Sequence, residues 1–486
     1  MGLHRANTST VQLCLDLTIQ TPKRALVSDL SLRVDGGETL VIMGPSGVGK
    51  SVLAKVLFGI ESGRGKGRWV DGLTVNGEIG PLRERGVLVP QSGAGLDYLW
   101  DWENLALGAG ESSPTKGADE RAHSGGEKRR LLVDRGLAAG RELIWLDEPA
   151  AGLDIGRTRE LAERLNQLKA DGIALVVTTH RIDLAHAIAD QVVFVSPSGS
   201  IETNVSWSEE SELDEWLSER LMRAAPEPTG LSATRQRFPL GIGPLTAIES
   251  LAALPRMLSS RRWIAKRSLG ATWKLILGRG ALFHFVVGAI TAAIIYVSIR
   301  TSGGVTSATR WIPSFGMEIV MRVTQPLAAI LAGASSGAAV SSWLGTMVAR
   351  EELKGLRALD VDTRSAVTAP IALGLASAVL VHTLIFGVAM AAMFGGVIVA
   401  LSDAASPALG AYLSSATDWL RPAALSLWVP KAVLYPLLVG GITVGYASAP
   451  KPGSDAVGTA LTGAIIRSTI AIVAIELLLL LPSVLP

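Results

Sequence analysis

Five apolar runs, at residues 281–299, 316–349, 368–401, 422–446 and 461–484, are each long enough to cross a bilayer as a helix, and no other feature restricts the fold as strongly. In hydrocarbon a backbone must satisfy its own N–H and C=O groups, so runs of this kind pack as helices. The mean hydropathy of +0.37 agrees, being too high for a water-soluble chain of 486 residues. The second and third runs exceed a single span, which implies tilting or a break, with Pro326 and Pro370 as the expected bends. Six Lys or Arg lie between Arg261 and Arg279, just before the first run, and Arg350, Lys354, Arg357 and Arg364 lie between the second and third. The opposite loops hold only Arg300, Arg310 and Arg421. This bias places the N-terminal part in the cytoplasm and the C-terminus on the outer side.

Two charges stand inside these runs. Lys431 lies nine residues from the outer end of the fourth and Glu476 eight from that of the fifth. At a rise of about 1.5 Å per residue, both sit about 12 to 14 Å deep. Equal depth and opposite sign suggest a buried ion pair, because isolated charges there are costly; the alternative is that each snorkels or faces a wet cavity. Ahead of the first run, Trp263, Leu269, Trp273 and Ile276 share a helical face, with Arg262, Lys266, Arg267 and Lys274 largely off it. That pattern reads as an amphipathic helix on the cytoplasmic membrane surface, or alternatively as a soluble helix packed on the N-terminal domain.

The first two hundred or so residues follow a different pattern, short apolar runs that each end in polar residues. The run Thr39, Leu40, Val41, Ile42, Met43 leads into Gly44, Pro45, Ser46, Gly47, Val48, Gly49, Lys50 and Ser51, which fits G-x-x-x-x-G-K-[ST]. Such a loop sets backbone N–H groups and a helix N-terminus around phosphates, with the lysine reaching the outer phosphates and the hydroxyl holding Mg²⁺. Gln91 follows the apolar residues 86–90, and His123, Ser124, Gly125, Gly126 and Glu127 open a helix rich in Arg and Leu. Residues 143–149 read as a buried strand ending in Asp147, Glu148 and Pro149; Ala151, Gly152, Leu153 and Asp154 come directly after. Another buried strand, residues 174–180, ends in His180. Open parallel sheets bind ligands beyond the carboxyl ends of their strands, where these residues would fall.

In this order the segments resemble, residue by residue, the Walker A loop, Q-loop, signature, Walker B, D-loop and H-loop of an ATP-binding cassette. The resemblance implies an α/β P-loop fold with ATP and Mg²⁺. Asp147 would orient Mg²⁺ through water, Ser51 and Gln91 would complete its sphere, and Glu148 would polarise the attacking water. His180 would hydrogen-bond the γ-phosphate. Ser124, Gly125, Gly126 and Glu127 would act in trans, on nucleotide held by a second cassette. Three departures stand out: residues 16–24 contain no aromatic where the family stacks adenine, His123 replaces the usual Leu, and only 32 residues separate Gln91 from Ser124. Residues 108–117 accordingly read as loop in place of helix.

The expected organisation is a cassette at 1–205, a helix and linker at 206–245, the interfacial helix at 246–278 and an all-α polytopic membrane domain at 279–486. The single cysteine, Cys14, falls in the alternating strand 11–17 and reads as a buried core residue with no disulfide or metal role. Residues 1–10 lack an apolar core, so no cleavable signal peptide is expected. The net charge of +2 carries no information about partners, and no nucleic-acid partner is expected.

The membrane half has its own pattern. Ala332-Gly333, Ser336-Gly337-Ala338-Ala339, Leu344-Gly345-Thr346-Met347, Glu351-Glu352-Leu353, Ala358-Leu359 and Val361-Asp362 resemble the MlaE permease family of bacterial lipid transporters, a likeness covering roughly residues 263–486. Val323 and Trp343 stand where that family tends to have glutamates and Ser335 where it tends to have arginine, so no role of those charges carries over. The resemblance implies a multi-pass protein of the bacterial inner membrane with glycerophospholipid as cargo and residues 350–367 as the coupling segment. It also implies two separate partners, a periplasmic MCE-domain protein and a small cytoplasmic STAS-domain subunit. One cassette and five spans make half a transporter, so a homodimer is expected. Two other readings compete: an ABCG-type exporter of drugs or other hydrophobic compounds, which would have six spans, and a membrane-anchored regulatory ATPase, which would not need Glu148 and His180.

Overall fold

The computed structural model describes residues 12–20, 25–45, 48–58, 73–75, 78–79, 82, 86–91, 96, 98–111, 116–117, 125–196, 201–204, 210–223, 262–359, 361–401, 407–418, 422–449 and 455–484. The chain divides into two compact units, Met1–Gln236 with Arg350–Asp362, and Arg237–Ala349 with Thr363–Pro486.

The first unit has ten strands among its described residues: β1 (Gln12–Gln20), β2 (Ala25–Asp35), β3 (Thr39–Met43), β4 (Leu73–Val75), β5 (Glu78–Ile79), β6 (Gly86–Val89), β7 (Leu143–Asp147), β8 (Ala174–Thr178), β9 (Gln191–Val195) and β10 (Ile201–Asn204). β2-β1-β4-β5 form an antiparallel sheet, in which Cys14 stands opposite Arg33 and Thr74. The sheet that carries the chemistry runs β10-β9-β3-β8-β7-β6, parallel throughout except for β10. Its helices are α1 (Lys50–Leu57), α2 (Asp101–Gly108), α3 (Gly125–Ala138), α4 (Ile155–Ala170), α5 (Ile182–Ile188) and α6 (Glu210–Arg223).

Alternation along the central strands sends side chains into two cores. Leu40, Ile42, Trp145 and Val176 face Leu53, Leu57 and Phe58 at the α1 end, while Val41, Met43, Ile144, Leu146 and Val177 face Leu132, Leu165 and Leu184 of α3, α4 and α5. Leu213 and Leu217 of α6 are fully buried in the second core, and Trp216 meets Phe194 edge-on with ring centroids 6.4 Å apart. The cassette therefore does not end at residue 205, because α6 supplies part of its core. The linker expected after it lies outside the described residues, as do residues 246–261.

The second unit contains α7 (Arg262–Ala332), a π-helical turn at Gly333–Gly337, and α8 (Ala338–Ala349). The chain then passes through α9 (Glu352–Ala358), which belongs to the first unit, and a second π turn at Arg364–Thr368. It continues through α10 (Ala369–Leu401), α11 (Ala408–Asp418), α12 (Pro422–Ser448) and α13 (Asp455–Val484). Five segments among the described residues are long and apolar enough to span: Arg262–Ile299, Phe315–Ala349, Arg364–Ala400, Trp428–Ser448 and Val457–Leu479.

Two details differ from the sequence expectation. No break separates the basic stretch from the first span, so the interfacial helix is not a separate element at its C-terminal side; α7 is continuous through residue 279. Of its expected apolar face only Ile276 is buried, and Trp273 is exposed, its indole N–H donating to Ser377 Oγ at 2.9 Å. The buried stripe is Ile264, Ser268, Thr272 and Ile276. Small hydroxyl residues serve here because each satisfies its hydroxyl on the preceding turn and lets the neighbouring helix approach closely. Ser268 Oγ lies 3.0 Å from both Ile264 O and Ala366 O, and a Cβ added at Gly374 would stand 3.1 Å from Thr272.

The irregular turns also fall beside, not at, the prolines. The helix runs through Pro326 and breaks its hydrogen-bond pattern at Gly333–Gly337, while the turn at Arg364–Thr368 ends just before Pro370. Pro370 has no N–H to offer Ala366 O, and the Ser268 hydroxyl, shared between Ile264 O and Ala366 O, approaches that carbonyl instead.

Candidate functional site

The register of the six-stranded sheet assembles the site. Asp147 at the end of β7 pairs with Thr178 at the end of β8, and β3, on the other side of β8, delivers the glycine-rich loop to the same edge. Gly44 has φ +150, and a Cβ on it would stand 2.4 Å from Val195 O, so the loop passes too close to β9 for any side chain. Gly49 has φ +117, and Val48 is buried beneath the loop. Ser46 and Gly47 lie outside the described residues. Lys50 Nζ donates to Gly44 O at 2.6 Å and Pro45 O at 3.2 Å. Burial lowers the Lys50 pKa, while Glu148 and Asp147 pull it back up.

Ser51 Oγ donates to Asp147 Oδ1 at 3.1 Å, and Thr178 Oγ1 donates to the same oxygen at 2.5 Å. The Glu148 N–H donates to Thr178 O at 2.8 Å, and His180 Nδ1 stands 2.8 Å from Glu148 Oε2. Glu148 has φ 48, an uncommon conformation for a non-glycine residue, which turns its carboxylate off the strand direction toward His180. Arg181 Nη1 donates to Leu153 O at 2.8 Å, tying the histidine turn to the loop after Glu148. Asp154 caps α4 by accepting from the Arg157 N–H at 2.8 Å.

Gln91 is exposed, two residues beyond β6 and hence beside the Asp147 strand. Gly125 and Gly126 form the first turn of α3, Glu127 is exposed, and Ser124 and His123 lie outside the described residues. The adenine question falls on side chains of residues 16–20 and on residues 21–24, outside what is described. α2 ends at Gly108, and residues 109–111 and 116–117 are not helical, while 112–115 lie outside the described residues.

Ser51 and Asp147 present oxygen donors of the kind Mg²⁺ takes. Among the described residues no three His, Cys, Asp or Glu form a metal cluster. Sequence reading missed Thr178, although a hydroxyl closing an otherwise apolar strand was the available signal. It also missed Arg181, whose contact with Leu153 depends on how two loops meet.

In the second unit Lys431 Nζ donates to Glu476 Oε2 at 2.8 Å, joining α12 to α13. Tyr435, one turn after Lys431 and buried, donates its hydroxyl to Glu476 Oε1 at 2.7 Å. Tyr435 was not expected from the sequence, since a tyrosine in an apolar run is usually just packing.

A family model described as ABC transporter matches residues 27–151, and one described as Permease MlaE matches residues 272–481. The cobalt import ATP-binding protein CbiO of Rhodobacter capsulatus is 36% identical over 191 residues, 34% of this chain and 68% of that protein. The taurine import ATP-binding protein TauB of Pseudomonas aeruginosa is 35% identical over 201 residues, 37% of this chain and 75% of that protein. Among solved structures, an ATP-binding cassette of an ABC transporter in its ADP conformation superposes with a TM-score of 0.37 at 22% identity, over 45% of this chain and 98% of that one. A loop that cradles phosphates beside paired carboxylates, continued in the same polypeptide by apolar spans, defines an ATP-driven membrane protein. The chain belongs to the ABC transporter family, as an ATP-binding ATPase cassette fused to an MlaE-family permease.

The Gly44 contact makes a direct prediction. Gly44→Ala will displace the loop from Val195 and weaken ATP binding by about tenfold or more. Titration of a fluorescent ATP analogue checks it; wild-type affinity would show that the loop does not need this backbone path.

Proposed function

We propose that the chain is an ATP-driven phospholipid transporter of the bacterial inner membrane, working as a homodimer with two ATP sites. The observation that carries this reading is the permease match over residues 272–481 in the same polypeptide as a cassette. The matched cassette relatives are named for cobalt and for taurine, unrelated cargoes, so the cassette does not specify what is moved and the permease half must. Five spanning segments among the described residues favour this reading over a six-span exporter.

In this reading Glu148 takes the proton of the attacking water, held by the His180 ring, and His180 also faces the γ-phosphate. Lys50 meets the outer phosphates once it leaves the Gly44 and Pro45 carbonyls. Ser51, Gln91 and Asp147 would hold Mg²⁺, which when bound offsets phosphate charge, and Thr178 fixes the Asp147 carboxylate. Ser124, Gly125, Gly126 and Glu127 serve the nucleotide of the second copy. ATP binding draws two cassettes together, and the segment around α9 passes that movement on to the spans. The cassette lies in the cytoplasm and the C-terminus on the outer side. A periplasmic MCE-domain protein and a small STAS-domain subunit are the expected partners.

Native mass spectrometry of the purified protein, without nucleotide and as Glu148→Gln held in ATP, tests the cargo. A dimer carrying a phospholipid-sized mass that is lost in ATP is the expected result. A protein carrying no lipid in either state would sink the phospholipid reading in favour of an exporter or a regulatory ATPase.

A further inference from the structure

The segment between the second and third spans folds into the cassette unit, and Glu351 ties it to α1. Glu351 opens α9 with φ 60 and ψ 17, so among the described residues only it and Glu148 are non-glycines with positive φ. An unfavourable backbone persists when surrounding contacts hold it. Here Glu351 Oε2 accepts from Lys55 Nζ at 2.7 Å, and Oε1 accepts from Lys354 Nζ at 3.0 Å. Burial would push the Glu351 carboxyl up, but the hydrogen bonds from Lys55 and Lys354 outweigh it and hold the pKa below the usual carboxylate range. Lys55 lies on α1, five residues after Lys50, so it shares a rigid helix with the phosphate-binding lysine.

The neighbouring Glu352 is buried, and so is Arg135 near the end of α3, the helix that begins with Gly125 and Gly126. Burial pushes the Arg135 guanidinium down to about 10, and Glu352 is the charge that opposes the shift. Leu359, just past α9, packs against the same core as Leu132 and Val133 of α3. The acidic doublet thus meets α1 directly, through the Lys55–Glu351 pair.

We propose that Lys55 and Glu351 are positioning residues for ATP hydrolysis, setting the helix that follows the phosphate loop according to how the segment that opens at Glu351 is seated. This rests on the reading of that segment as the coupling element. The Lys55 and Glu351 side chains are 14% and 29% exposed, so charge exchange can address their bridge.

The test is steady-state ATPase of the full chain in detergent and in mixed phosphatidylethanolamine and phosphatidylglycerol vesicles. Lys55→Glu and Glu351→Lys are each expected to lower kcat about tenfold with KM for ATP within about twofold and the unfolding midpoint unchanged, a split that a purely structural bridge would not produce. Lys55→Arg should keep near-wild-type kcat, and the exchanged double variant should recover most of the loss. If the reversals do not fold, Lys55→Met and Glu351→Gln form the same cycle. Wild-type kcat in the single variants, or losses that add without coupling in the double, would overturn the proposal. Lack of lipid stimulation in the wild type would count against the phospholipid reading alone and leave the detergent cycle decisive here.

Discussion

Glu148→Gln will abolish ATP turnover, by a factor of about one hundred to ten thousand, while ATP still binds. The amide keeps the length of the side chain and a partner for His180 Nδ1, which stands 2.8 Å from Glu148 Oε2, so the geometry of the edge survives. What it loses is the ability to take a proton. Asp147 cannot substitute, because its Oδ1 is already engaged by Ser51 and Thr178, at 3.1 and 2.5 Å. Phosphate release at saturating ATP, beside nucleotide binding measured on the same preparation, checks both halves. Turnover within tenfold of wild type would move the general base elsewhere and leave Glu148 a positioning role.

Lys431→Met will be the most damaging single change in the membrane unit. It removes the cation 2.8 Å from Glu476 and leaves the carboxylate with the Tyr435 hydroxyl as its hydrogen-bond donor among the described residues. Breaking one side of an ion pair held away from water costs about 3 kcal/mol or more, whereas replacing both partners with neutral groups is often tolerated. Lys431→Met with Glu476→Gln should therefore be more stable than Lys431→Met alone, since the Gln side chain still accepts from Tyr435 but carries no charge. Thermal unfolding of the three variants in one detergent reads the comparison. If Lys431→Met were as stable as wild type while Glu476→Gln alone was inactive, the two charges would have separate roles and the pairing would be incidental.

Much of the cassette could be read from the chain because its central strands are buried on both faces. Val41, Ile144 and Val177 lie in one core and Ile42, Trp145 and Val176 in the other, so each strand is a continuous apolar run. Polar residues at the ends of such runs then mark the carboxyl edge. Thr178 and Thr179 show the limit of that reasoning. Both are buried, and only the register of β8 against β7 decides that Thr178 meets Asp147. In α7, hydrophobicity pointed to Trp273, but the buried stripe runs through Ser268 and Thr272. Next to lipid, close packing of small residues decides the interface more than apolarity does.

Local order along the chain was enough to read the nucleotide loop, the paired carboxylates, the apolar runs and two opposite charges within them, because each of these depends on neighbours in sequence or on distance from the end of a run. Tertiary structure alone assigned α6 to the cassette core, brought Tyr435 to Glu476, and returned residues 350–362 to the first unit. Lys55 and Glu351 are 296 residues apart, and a contact across that separation leaves no periodic trace in either segment. It exists only once two helices have docked, when burial makes leaving either charge without a partner more costly than holding Glu351 in a strained backbone.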